Sequence, residues 1–426
     1  MIFFKMPMAF KVVMPFAFVS IAFASGNSKE AGHHQHGTHP ECPIPTTTMD
    51  VVKCVSENHP KIRAAVLDEQ MQVLGEKREG QIPNPNLSVE AVSGDVGDVS
   101  RRETKIALMQ PLELGGGRGA RIDLAKAQTA RSRAELDEVR ANIIIETVVN
   151  LYRLQQLKLQ AESSERTIEA YENSIKSLKR RAALSPEQKV SLSVFQMALS
   201  EAKLRALSIT EERRMLSLYF HFATGNSYDE IKGVLPKDLK WPKLDEVAAN
   251  NSPAKAKALA EQLAAQAQLK MEQAQSWPIL EIGPMIQMEE DGPEKGNLYG
   301  LQLSFPLPIF NINGGGRKAA EAGLKKSDTM VKITEEAESH EREEILHNYQ
   351  DSLKALQESP QYLQIDEENR KNQKLASGGL IPASLVIEAQ RSNAELIKTL
   401  QEREIKTLQA LWTIYKLDGR IFAEKL

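Results

Sequence analysis

Chemistry, if this chain performs any, has few residues to draw on. His33, His34, His36 and His39 fall within seven positions and make up four of the 8 histidines, with Glu41 and Cys42 following. Imidazoles this close raise the local concentration of ligands for zinc, copper or nickel. The plain alternative is a polar tail with no metal role. Cys42 and Cys54 are the only cysteines; an oxidising compartment lets them pair across a short loop, and two free thiols are the other outcome. Gly115-Gly116-Gly117-Arg118 lacks the Lys-Ser/Thr of a phosphate loop, so its glycines are expected to turn a strand into a helix. His340 and His347 stand seven apart on a polar helical stretch and read as one solvated face. No Ser-His-Asp or Cys-His set has persuasive spacing, so an enzyme reading has no residues to name, and no cofactor is expected.

The elements around these residues say more than the residues do. In 426 residues, 26% are charged and only 5% aromatic, and Ala, Leu, Glu, Gln, Lys and Arg dominate 129–214 and 318–416. That composition predicts very long helices. A formal net charge of -3 argues against nucleic acid as a partner. At the N-terminus Lys5 and Lys11 precede an apolar run over 12–24, which closes on Ala22-Phe23-Ala24, the pattern of a cleaved export signal over 1–24. The run falls short of the ~20 residues that a membrane-spanning helix needs.

Two halves share one plan, offset by about 195 residues, a period that suits a duplicated domain. Gln110-Pro111-Leu112-Glu113-Leu114-Gly115-Gly116-Gly117-Arg118 is answered by Phe305-Pro306-Leu307-Pro308 and Gly314-Gly315-Gly316-Arg317, and Ser185-Pro186 by Ile381-Pro382. Ahead of each Gly-Gly-Gly-Arg the apolar period changes from helical to alternating. Leu87, Val89 and Ala91 alternate with Ser88 and Glu90; Tyr299, Leu301, Leu303 and Phe305 alternate with Gly300, Gln302 and Ser304. Each half is thus expected to hold one hairpin, over 86–111 and 279–308, with strands long enough to cross a bilayer when tilted. Four strands cannot close a barrel, and an open edge in lipid leaves backbone groups unpaired, so copies must pool their strands. Eight strands from a dimer and twelve from a trimer are both allowed.

Helical arithmetic completes the plan. Residues 117–184 carry no proline and would span roughly 100 Å as one helix; 186–224 and 253–277 return about 95 Å in two pieces. The second half is expected to run out over 314–377 and back over 382–418, and a helix over 49–81 supplies the missing return length. The expected organisation is an export signal at 1–24, a His-rich tail at 25–48, a first repeat at 49–230 with a helical hairpin at 117–224, a linker at 231–252, and a second repeat at 253–426 with a helical hairpin at 314–418. Helices this long stay ordered only by burying a stripe on neighbours, so lateral partners are required.

On the duplicated plan and the Pro-to-Gly-Gly-Gly-Arg junction of both halves, the chain resembles the TolC-type outer-membrane efflux proteins over nearly its full length after the signal. The resemblance implies a mainly α fold with a small β part: an outer-membrane β-barrel, four strands per protomer, continuous with a long periplasmic α-helical barrel. It implies a homotrimer in outer-membrane lipid, docked on a periplasmic adaptor through hairpin tips that here are Ala183, Leu184 and Ser185, and Gly378, Gly379, Leu380 and Ile381. Two acidic residues three apart narrow the tunnel entrance in well-known members. This chain has Leu385 and Glu388 at those places, leaving Glu388 as the aperture candidate beside the reading of a solvated side chain. The tail resembles the heavy-metal branch, whose inner-membrane pumps are of the resistance-nodulation-division class. Drug or polypeptide export by the same architecture is one rival; a periplasmic helical scaffold without a barrel is another.

Overall fold

The computed structural model describes residues 42–236, 241–244, 252–377 and 382–424. In chain order these form α1 (Thr48–Asn58), α2 (Pro60–Glu79), β1 (Asn86–Val96), β2 (Val99–Glu113), α3 (Gly117–Lys179), α4 (Pro186–Thr224), α5 (Tyr228–Ile231), α6 (Pro253–Ala274), β3 (Ile279–Asp291), β4 (Glu294–Ser304), α7 (Gly314–Glu358), α8 (Tyr362–Ser377) and α9 (Ala383–Leu417). The four strands make one antiparallel sheet in the order β1-β2-β3-β4, so both hairpins join in one layer. Below them α2 packs on α3, α3 on α6 and α6 on α7, which repeats the strand order in helices.

The main core lies where α1, α3, α4, α7 and α9 converge. Val51, Val55, Leu151, Phe220, Tyr349, Leu411 and Ile414 are buried there, and Tyr349 donates its hydroxyl to the Pro242 carbonyl at 2.8 Å. A smaller cluster of Tyr171, Ile175, Phe195, Ala198 and Ile387 ties α3, α4 and α9 together nearer the tips.

Four expectations are corrected. The outward helix of the second half does not run unbroken over 314–377, because Pro360 has no N–H and forces Ser359 to extended angles (φ -92°, ψ 150°) between α7 and α8. The helix expected over 49–81 breaks for the same reason at His59-Pro60, where His59 has ψ 134° and caps α2. The second hairpin ends at Ser304 rather than 308, since Pro306 and Pro308 cannot donate to a ladder. Residues 42–48, expected within the tail, are held against the body: Cys42 N–H bonds the Thr224 carbonyl at 3.1 Å and Thr48 Oγ1 bonds the Val234 carbonyl at 2.6 Å. The first outward helix is α3, 63 residues and about 95 Å long, ending at Lys179.

Candidate functional site

Strand register sorts the sheet into two faces. On one face Val89, Ile106, Ile286 and Tyr299 form a row across all four strands, and Ala91, Thr104, Met288 and Asn297 form the next. Leu87 stands opposite Leu108, and Pro284 opposite Leu301. Several of these side chains are largely exposed: Leu87 is 68% exposed, Tyr299 76% and Leu301 70%. The other face is mixed but carries the charges: Glu90, Lys105, Gln287 and Leu298 form one row, and Val92, Glu103, Glu289 and Gly296 the next. Gln287 Nε2 donates to both carboxylates, at 2.6 Å to Glu103 and 2.7 Å to Glu289. Side-chain direction alternates along a strand, so a period-two sequence is what separates the apolar face from the polar one.

Backbone approach fixes how tightly the two hairpins join. A Cβ at Gly283 would collide with the Leu108 carbonyl, so only glycine lets β3 lie this close to β2. Strands of 11 to 15 residues, tilted at about 40°, rise roughly 28 Å or more, enough for the ~25 Å apolar band of a membrane barrel. Among the described residues β1 and β4 are paired on one side only, which leaves two free edges.

At the foot of the sheet the glycine motif turns strand into helix. Gly115 and Gly116 take φ of 70° and 78°, and Trp277 fills the space that a Cβ at Gly115 would need. Arg118, the last residue of the motif, donates from Nε and Nη2 to the Gly80 carbonyl at 3.0 and 2.7 Å, and so ties the start of α3 to the end of α2. In the second half Asn313 adopts the left-handed conformation and its Nδ2 bonds the Glu272 carbonyl at 3.0 Å. The bonding role of Arg118 had a signal in the sequence, an arginine following three glycines. Its acceptor, 38 residues earlier, had none.

At the opposite end, Ser185 caps α4. Its Oγ accepts from Gln188 N–H at 3.2 Å, Gln188 Oε1 accepts from Ser185 N–H, and Pro186 holds the first-turn position. Ala183 is exposed and Leu184 half-buried. The other tip, Gly378 to Ile381, lies outside the described residues, as do His33, His34, His36 and His39. Glu388 and Leu385 are both exposed on α9, three apart and so on one face. One turn along, Arg391 Nε donates to Glu201 Oε2 of α4 at 3.1 Å, while Thr167 of α3 bonds Gln390 at 3.2 Å. The two hairpins are therefore linked just above the aperture candidate by polar contacts that sequence spacing did not reveal. A crevice of about 340 Å³ beside these links separates α3, α4 and α9.

Nearer the main core, Glu404 of α9 is half-buried against α3, and the loss of water around it raises its carboxyl from its ordinary value although Gln156 Nε2 donates to it at 2.9 Å. Cys42 and Cys54 are joined as a disulfide with Cα atoms 6.2 Å apart. A loop this short is worth about 3 kcal/mol of stability. Protein taken from the envelope and unfolded without reductant is expected to titrate no thiols, and two after reduction; two thiols at the outset would show the pair unformed. His340 and His347 are both exposed on α7. Among the described residues no group of three or more His, Cys, Asp or Glu is placed to hold a metal ion, and no helix is long and apolar enough to cross a membrane.

His59 joins this end of the body to α2. It is 5% exposed, packed near Tyr219 and Phe222, and its Nδ1 accepts from Lys61 N–H at 3.3 Å. Burial holds the imidazole below its ordinary value of 6.5, partly opposed by Glu146. The neutral form is thus favoured on folding, so this contribution is complete above pH 6.5 and is lost as pH falls from there through the folded-state value. His59→Asn keeps a helix-capping side chain without the titration. Its unfolding midpoint is expected to change less than that of the native protein between pH 7 and 5; equal slopes would remove His59 from the acid response.

This strand order, with helices that continue it, matches several solved channels. CusC aligns over 88% of this chain and 93% of its own at a TM-score of 0.67 and 14% identity, in crystal structures concerned with folding and transmembrane channel formation. The Campylobacter jejuni CmeC outer membrane channel gives 0.67 at 11% identity, over 94% of each chain. The chain has the TolC-type outer-membrane channel fold. The outer membrane protein VceC from Vibrio cholerae adds a TM-score of 0.64 at 15% identity, covering 87% of this chain and 96% of that one. By sequence, the cobalt-zinc-cadmium resistance protein CzcC of Cupriavidus metallidurans is 25% identical over 251 residues, 56% of this chain and 57% of that protein. The aligned part thus spans little more than half of that relative's length. No protein-family model matches the chain. In this chain the β1–β4 sheet and the helices α2 to α9 are the two parts of that fold.

Proposed function

We propose that the chain is the outer-membrane duct of a tripartite efflux system, in which three copies close a twelve-stranded barrel above a tunnel of helices. One observation carries this reading: a four-stranded sheet with one largely apolar face, a second face that holds Glu90, Lys105, Glu103, Gln287 and Glu289, and two edges without a strand partner among the described residues. Such a sheet is stable in lipid only when its edges are closed, and closure by copies of itself turns the polar face into the lining of a water-filled path. Energy would come from an inner-membrane pump of the resistance-nodulation-division class, joined through a periplasmic adaptor at Ala183, Leu184, Ser185 and the 378–381 tip. Extraction tests the first step. A barrel stays with the membrane through high salt and leaves it only in detergent, as an oligomer three times the protomer mass; a freely soluble monomer ends the proposal.

The cargo proposed is a heavy-metal cation. Its support is the likeness to a protein named for cobalt, zinc and cadmium resistance and the histidines at 33–39. Glu388, three copies of which would ring the entrance, suits a cationic cargo by the electrostatics of any charged constriction. A deletion strain should lose tolerance to cobalt, zinc or copper while keeping tolerance to dyes and detergents. Broad drug sensitivity with normal metal tolerance contradicts the metal assignment and leaves the duct standing. Titration of the mature protein with zinc, before and after deletion of residues 33–39, then decides whether the tail takes part.

A further inference from the structure

Among the described residues the helical layer beneath the sheet ends on α2 at one side, which packs on α3 and touches α1, and at the other on α7, which packs on α6 and also on α9, bonded through Arg342 and Asp418. On α2 the face turned away from α3 presents Leu67, Met71 and Leu74, at 63%, 60% and 62% exposure. Their spacing of four and three puts them in one row. On α7 the face turned away from α6 presents Ala319, Ala322 and Gly323, all exposed, then Met330 and Ile333. A Cβ added at Gly323 would meet nothing within 4 Å, so this stretch is a shallow, open groove. Large side chains on one flank thus face outward at one end of the layer, and small ones at the other.

The two flanks also correspond in height. α2 ends at Glu79 where it approaches β1, and α7 begins at Gly314 below β4, so both helices can be measured from the foot of the sheet. At 1.5 Å per residue Leu74 lies about 8 Å down α2 and Met71 about 12 Å, while Ala319 lies about 8 Å down α7 and Ala322 and Gly323 about 12–14 Å. Leu67, about 18 Å down, falls between Gly323 and Met330. Asp68 comes at about 16 Å, the level of the exposed Lys325 and Lys326. β1 and β4, which continue these same flanks upward, are the free edges of the sheet. An interface that pairs β4 of one copy with β1 of the next carries α7 of the first against α2 of the second.

We propose that Leu67, Met71 and Leu74 of α2 seat on the Ala319-Ala322-Gly323 groove of α7 in an adjacent copy of this chain, as a head-to-tail seam in the register just given. This rests on the proposal that copies pool their strands, and adds which side chains meet. Large residues entering a small-residue groove let the two helices approach closely, and Asp68 opposite Lys325 and Lys326 opposes a shift along the seam. Below the level of α2 the exposed row continues on α4 with Val190, Met197 and Leu204 at steps of seven.

Disulfide trapping of the full chain tests the register, since Cys42 and Cys54 are already joined to each other. Two double variants, Met71→Cys with Ala322→Cys and Leu74→Cys with Ala319→Cys, are oxidised in the membrane and run on non-reducing gels. Most chains are expected to migrate as dimers and trimers that collapse to monomer on reduction, while each single variant stays monomeric. Leu74→Cys with Met330→Cys, about 16 Å out of register along the helices, is expected to stay uncrosslinked. Detergent-extracted protein of oligomeric mass that traps neither matched pair, or traps the mismatched pair equally well, overturns the seam and leaves the duct intact. Monomeric mass overturns both.

Discussion

Ile286→Arg is expected to keep the protein out of the outer membrane, and Gln287→Arg, one residue along, to leave its yield there unchanged. Ile286 sits mid-strand in the Val89, Ile106, Tyr299 row, on the largely apolar face, and is itself exposed. A lipid-facing arginine at mid-membrane costs about 2–4 kcal/mol in a barrel protein, and a closed barrel of three copies takes that cost three times. Gln287 lies on the opposite face, where its amide already bonds Glu103 and Glu289, and an arginine there would meet two carboxylates and, in the proposed barrel, a water-filled interior. The pair shares strand, depth and added charge, and differs only in face. Yield of detergent-extractable oligomer in the outer-membrane fraction is the readout. Equal tolerance of both variants would mean that neither face meets lipid, and the sheet would have to pack elsewhere.

Asp418→Asn should lower stability by about 3–5 kcal/mol, far beyond what any exposed ion pair here contributes. Asp418 caps the end of α9, and its carboxylate takes Arg342 Nε at 2.6 Å and Nη2 at 3.3 Å, with side chains only 4% and 6% exposed. The pair pins α7 to the C-terminal end of α9 beside the main core. Replacing the acid alone takes its carboxylate away from a guanidinium that is only 6% exposed, and losing one partner of a buried ion pair is costly. Replacing both partners by apolar residues, Arg342→Met with Asp418→Leu, removes the charge together with its partner and should recover most of the loss. Urea midpoints of the two singles and the double, combined as a cycle, measure the coupling. A cost below 1 kcal/mol for Asp418→Asn would show that water reaches the pair.

Legibility in the sequence followed the range of the interactions. Hairpins, long helices and their turning points were readable because each depends on neighbours a few residues away: alternation at 87–91, the glycines at 115–117, the Ser185-Pro186 cap. Pro360 carried an equally local signal, and the break between α7 and α8 follows from it as directly as the cap follows from Pro186. The candidate site divided along the same line. Ser185 at its tip was placed by its own sequence, whereas the Arg391 contact with Glu201 that links the hairpins spans 190 residues and left no local trace.

By itself, then, the sequence determined the duplicated plan and the alternation of apolar and polar side chains on four strands, because period and backbone chemistry act within a few residues. Only the tertiary structure decided that both hairpins form one sheet with two free edges, that Cys42 meets Cys54, that Arg342 is buried against Asp418, and that α2 and α7 lie on outer flanks of one helical layer. Those facts depend on which distant segments pack together, and packing is set by the shape and burial of whole faces that no short window contains.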